Sequence, residues 1–159
     1  MTVDETLNEL LVRLFRDLMQ IEGKCLITGE FTDITYNDMH IIEAIGIGDS
    51  KKSSEVAALM SITMGTLTKA IDSLAAKGYV ERKRGTKDKR VVRLILTDKG
   101  RRAYEHHQGF HQRMIEYIKD GVSEEEMTVV INVLANVVDY FKSIYNSDSE
   151  ENKENSDKK

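Results

Sequence analysis

Six cations crowd one short stretch of the chain: Arg82, Lys83, Arg84, Lys87, Lys89 and Arg90. Like charges so placed repel one another unless an anion compensates them, as a phosphodiester backbone does. Asp88 stands two residues before Arg90. It can accept hydrogen bonds from that guanidinium and direct it into a minor groove, orienting rather than binding. A second constellation is made of imidazoles. His107 and His111 are one helical turn apart, which puts both rings on one face. Such a pair reads most simply as hydrogen-bonded core histidines, and otherwise as polar contacts to an effector or as part of a metal site. No nucleophile with its base, phosphate loop or acid pair has the spacing of a catalytic centre, so no enzyme is expected. Gly46 to Ser53 faintly resembles a phosphate loop, but it lacks the spacing and follows a helix.

The chain of 159 residues carries a formal net charge of −4, which is not that of a general polyanion binder. The charge is unevenly spread. From Lys77 to Arg102 there are eleven Lys and Arg against three acidic residues, a net of +8, and the remainder is strongly acidic. One basic island in an acidic protein implies one DNA-facing surface. A single cysteine, Cys25, and an N-terminus without a basic region and apolar run lead us to expect a cytoplasmic protein. No run of about 18 apolar residues is present, so no membrane association is expected.

The elements that must position these groups are mostly helical, since the chain has no proline and its apolar residues recur at spacings of three and four. Thr2 and Glu5 open an amphipathic helix through Ile21, and Thr35 with Asp38 opens a second, closed by Gly46 and Gly48. Two short helices follow, one on Val56 to Met60 and one on Met64 to Leu74, separated by only Ser61, Ile62 and Thr63 and ended by Gly78. That is a helix-turn-helix. The apolar period then falls to two over 79–84 and 91–96, which predicts a hairpin through Gly85. Thr97 caps a further helix to Gly121, and Ser123 with Glu126 caps a last one. This last helix is apolar over more of its circumference than one neighbour requires, and with the first helix it is assigned to a homodimer interface.

The fold class expected is therefore mainly α with a small β-hairpin wing, a winged helix-turn-helix. The domain spans 1–145, with a DNA-binding lobe over about 36–96 and dimerisation helices over about 4–28 and 98–145. Residues 146–159 are polar and charged throughout and are expected to form a disordered tail. The second helix of the motif should enter a major groove of palindromic double-stranded DNA, its outward face being Gly65, Thr66, Thr68, Lys69 and Ser73.

Asp88-Lys89-Arg90-Val91 and Leu94-Ile95-Leu96-Thr97-Asp98-Lys99-Gly100 resemble the wing signature of the MarR family, and Leu74 to Arg82 (LAAKGYVER) resembles the exit of its recognition helix. The resemblance implies a DNA-binding transcriptional repressor working as a dimer, with an effector pocket between the winged lobe and the dimer helices. Within the family, 31–46 and 110–127 resemble the repressors of type II fatty-acid synthesis. That implies long-chain acyl-acyl carrier protein as co-repressor, its chain held by an apolar slot that Met19, Phe31, Met39, His40, Ile42, Phe110 and Met114 could line. Glu22, His40, His107 and His111 also match the principal metal site of the zinc-responsive members. Met39 and His106 depart from the second site of those proteins, where carboxylates would be expected. Replacing Arg90 by Ala should weaken binding to a specific duplex by about 1 to 3 kcal/mol if it makes a well-formed groove contact. Fluorescence anisotropy at matched salt measures this, and an unchanged affinity would count against the wing.

Overall fold

The computed structural model describes residues 2–85 and 91–156, with side chains described through Ile144. Among the described residues the order is α1 (Val3–Leu26), a single 3-10 turn (Gly29–Phe31), α2 (Tyr36–Ile45), β1 (Lys51–Lys52), α3 (Ser53–Leu59), α4 (Met64–Ala76), β2 (Val80–Arg84), β3 (Val92–Leu96), α5 (Asp98–Lys119) and α6 (Glu124–Ser156). The chain forms two compact units, one through Arg113 and one from Met114. The capping boxes read from the sequence form. Thr2 Oγ1 accepts from the Glu5 amide at 3.2 Å, and Thr35 Oγ1 accepts from the Asp38 amide at 3.1 Å. In the second unit Ser123 Oγ accepts from the Glu126 amide at 3.2 Å, after Gly121 has turned the chain at φ +87°.

Helix α6 extends through 146–156, which hold no glycine or proline, and extending a helix already nucleated costs little. One expectation changes. The segment 46–53, read as loop, contains a third strand, since Lys51 and Lys52 pair with Leu94 and Arg93. Glu124–Ile144 of α6 is long and apolar enough on average to cross a membrane, with mean hydropathy 1.3. Thr128, Asn132, Asn136 and Asp139 nevertheless lay a polar stripe along it at helical spacing.

The core of the first unit gathers Leu26, Ile34, Met39, Ile41, Ile42, Val56, Leu67, Ile71, Leu74, Tyr79, Leu94 and Leu96, each under about a tenth exposed. Between α3 and α4 the turn is closed by backbone bonds. The Ile62 amide donates to the Ala57 carbonyl at 3.0 Å, and Ser61 takes φ +53°. The three strands form an antiparallel sheet in the order β1-β3-β2, with Val80 opposite Leu96, Arg82 opposite Leu94 and Arg84 opposite Val92.

The recognition helix and α5 meet through Thr97. Gly78, at φ +79°, reverses the chain after α4, and the Tyr79 amide returns to the Leu74 carbonyl at 2.9 Å. Thr97 Oγ1 then donates to the Gly78 carbonyl at 2.6 Å, while the Thr97 amide donates to the Tyr79 carbonyl at 3.0 Å. The first turn of α5 lies so close that a Cβ on Gly100 would stand 2.1 Å from the Tyr79 carbonyl oxygen. The glycine at position 100 thus has a steric cause within this chain. Gly100→Ala should destabilise the fold by about 1 to 3 kcal/mol or more through overpacking, lowering the thermal midpoint by about 3 to 10 °C. A melt within about 1 °C of wild type would contradict that approach.

Candidate functional site

Helix α4 begins at Thr63, whose Oγ1 accepts from the Thr66 amide at 3.2 Å. Gly65, Thr66, Thr68 and Lys69 are exposed along one side, as the sequence spacing predicts, whereas Ser73 is half-buried. The Thr68 hydroxyl donates to the Met64 carbonyl at 2.8 Å, leaving its methyl and its oxygen lone pairs to meet a base edge. A Cβ on Gly65 would find only Thr63 Oγ1, at 3.9 Å. Packing inside the lobe does not require glycine there, and its bare backbone permits close approach from outside. The first turn of α4 carries no acidic residue, which keeps its positive end attractive to phosphate.

The basic island is divided by the fold. Lys99 Nζ pairs with Asp33 at 3.0 Å and lies 4.1 Å from the centre of the Tyr79 ring. Arg102 grips Glu30 through two nitrogens at 2.8 and 3.0 Å. The guanidinium of Arg93 donates to Ser50 Oγ at 2.8 Å and to the Ser50 carbonyl. Arg82, read as a DNA contact, is turned instead onto α4, where it pairs with Asp72 and donates to the Thr68 carbonyl at 3.2 Å. Lys83 and Arg84 remain exposed on β2. Lys87, Asp88, Lys89 and Arg90 lie outside the described residues.

The imidazoles converge with carboxylates from two helices. Glu22 Oε1 is 3.0 Å from His107 Nε2 and 3.3 Å from His111 Nε2, and the two histidine nitrogens are 2.8 Å apart. Burial pushes His107 below its usual range, with the Glu22 hydrogen bond opposing it, so the ring is held toward neutral. Burial would raise Glu22, but hydrogen bonds from Tyr36, at 2.8 Å, and His107 hold it below the usual carboxylate value. Burial and that same bond push the Tyr36 hydroxyl up to about 12. His107 Nδ1 is buried without a hydrogen bond, with Glu43 Oε2 at 3.6 Å. His40 adjoins the group through His107, with ring centres 5.1 Å apart, and gathers with Glu43 on that side of it. Its ring stands edge-on to Tyr36 at 4.5 Å and its Nδ1 faces Glu43 at 3.3 Å.

Sequence reasoning thus brought Glu22, His107 and His111 together and missed Tyr36, Glu43 and Gln108, whose amide donates to Glu43 at 3.2 Å. The position of Glu43 three residues after His40 was a usable signal. The residues proposed to line an apolar slot are distributed differently. Phe31, Met39 and Ile42 are closed into the core, Met19 is exposed on α1, and Phe110 packs half-buried against the core. Phe31 stacks on His106 with ring centres 5.2 Å apart, which holds it inward. Met114 belongs to the second unit.

A helix-turn-helix with an exposed polar recognition face and a basic wing strand defines a winged-helix DNA-binding regulator. The family model described as "Transcriptional regulator SarA/Rot" matches residues 28–106. Among solved structures, Streptococcus pneumoniae FabT in complex with DNA is 38% identical, covers 88% of this chain and 98% of that one, and superposes with a TM-score of 0.81. A MarR protein from Peptoclostridium difficile is 25% identical with a TM-score of 0.68, over 89% of this chain and 91% of that one. The transcriptional regulator AdcR of Streptococcus pneumoniae is 27% identical over 143 residues, 88% of this chain and 95% of its own length. The chain belongs to the MarR family of winged-helix transcriptional regulators. These relatives are regulators, not enzymes. Lys83→Ala should lower affinity for all duplexes alike and flatten the dependence of log K on log salt by about 0.9. A loss confined to one sequence, in binding isotherms across a salt series, would contradict a phosphate contact.

Proposed function

We propose that this regulator is a homodimeric, cytoplasmic repressor of fatty-acid synthesis genes, acting on palindromic DNA with long-chain acyl-acyl carrier protein as co-repressor. The observation that carries it is the 38% identity to FabT across 88% of the chain, together with the resemblance of 31–46 and 110–127 to repressors of type II fatty-acid synthesis. A homodimer is supported by two apolar helix faces that stand about half exposed to water. On α1 Leu7, Leu10, Leu14 and Phe15 are each about half exposed, and on α6 so are Val133, Leu134, Val138 and Phe141. Such surface is costly in water and is the kind a second copy covers. An acyl chain would have to displace Phe31 or Phe110 from the core to reach Met39 and Ile42.

A second reading is favoured by one feature of the histidine cluster. With a proton on His107 Nδ1, toward Glu43, the atoms Glu22 Oε1, His107 Nε2 and His111 Nε2 can all serve as donors and lie close enough together to share one ion. Their separations of 2.8 to 3.3 Å are near the edges of about 3.3 Å that a tetrahedral zinc site requires. The donor set fits the ion, which would neutralise this convergence and tie α1 to α5, making the protein a zinc-responsive repressor of metal-uptake genes. Two measurements separate the readings. Anisotropy on duplexes from upstream of fatty-acid synthesis genes should show about tenfold tighter binding with long-chain acyl-acyl carrier protein than with the unacylated carrier. Equal affinity with both would sink the co-repressor. Under the zinc reading, zinc instead raises the thermal midpoint and chelation reverses it, and an unmoved midpoint excludes that reading.

A further inference from the structure

Arg82 occupies a place where an apolar residue would otherwise continue the core. Side chains on a strand alternate between faces, so Arg82 shares the face of Val80, two residues before it. Val80 is buried, as are Leu96 and Leu94, the residues opposite Val80 and Arg82. The apolar seam between sheet and recognition helix stops there. A cavity of about 270 Å³ takes its place, lined by Met64, Leu67, Thr68, Ile71, Arg82 and Val92 among others. Across this gap the Arg82 guanidinium reaches α4 twice, at the Asp72 carboxylate and at the Thr68 carbonyl, 3.2 Å away. Those residues are one helical turn apart, on the side of α4 that also carries Lys69.

We propose that Arg82 is a positioning residue that sets the angle of the wing on the recognition helix and thereby the selectivity of DNA binding, not a phosphate contact. Two physical points support the role. An exposed aspartate beside a groove-reading face would repel phosphate, and the arginine compensates it locally. The strand is also a lever: β2 spans five residues, about 17 Å, so a tilt of roughly 10° at its base moves its far end by about 3 Å. That exceeds the tolerance of a hydrogen bond to a base edge. Where the apolar seam gives way to an open cleft, the forked, two-point attachment of a guanidinium holds the angle better than a single contact would. The inference rests on α4 being the groove-entering helix.

Its test uses the full chain and two probes, the duplex that wild-type protein selects from a random-sequence pool and a scrambled duplex of equal length. Arg82→Ala and Asp72→Ala should each lower the ratio of the two affinities about tenfold. The double variant should be no worse than either single, because both remove one link. Arg82→Ala should keep the wild-type salt slope. A slope shallower by about 0.9 in Arg82→Ala, or wild-type selectivity in Asp72→Ala, overturns the proposal. Arg82 and Asp72 are 38% and 59% exposed, so the buried core is untouched. Should melting show that Arg82→Ala is unfolded, the isosteric Asp72→Asn carries the test, with the same loss expected and unchanged selectivity overturning it. Failure of wild type to select any duplex would sink the DNA-reading role of α4 instead, a distinguishable result.

Discussion

The carbonyl of Tyr79 accepts from the Thr97 amide at 3.0 Å, and the space beside it leaves no room for a side chain at position 100. This contact joins the last residue after the recognition helix to the first turn of α5, so the direction in which α4 points is tied to the helix that carries the histidines. The tyrosine ring reinforces the joint from inside. Its hydroxyl donates to Asp33 at 2.5 Å, and its ring is 6.5 Å from Phe31. Burial and the Asp33 bond push the hydroxyl's pKa upward, while the same bond, opposed by the cost of burial, holds Asp33 low. Tyr79 therefore serves as a neutral donor throughout the physiological range. A residue from the segment before α2, the exit of α4 and the start of α5 are thereby packed as one body.

Around that joint the basic residues serve two ends. Lys99 and Arg102 pair with Asp33 and Glu30, binding the start of α5 to the segment between α1 and α2. Exposed pairs of this kind contribute little stability individually. Their effect is to commit those charges to contacts within the fold. Lys83 and Arg84 remain exposed. The basic island is thus a mixture of paired and exposed charge, and net charge alone does not separate them.

The histidine cluster sits in the same body, and Phe31 against His106 on one side and Tyr79 on the other links its helix to the recognition-helix exit. His107 Nδ1 is buried without a hydrogen bond, 3.6 Å from Glu43 Oε2, while its Nε2 is shared with Glu22 and His111. Any ligand that reorganises Glu22, His107 and His111 would act on α1 and α5 together, and α5 begins at the joint described above.

Local order was legible in the sequence because its signals are local. The boxes at Thr2, Thr35 and Ser123, the three-residue turn before α4 and the glycine at 78 each satisfy backbone groups within a few residues. β1 escaped because two residues carry no period, and pairing to β3 alone defines them. Which cation pairs within the fold depended on tertiary structure as well. Arg82 and Lys83 are neighbours of the same charge, yet strand alternation and the position of Asp72 on another element bring Arg82 onto α4. The same holds for His40, which sequence spacing could not assign between Glu22 and Glu43. Types, periods and caps are properties of the chain. Partners brought together from distant elements are decided by packing.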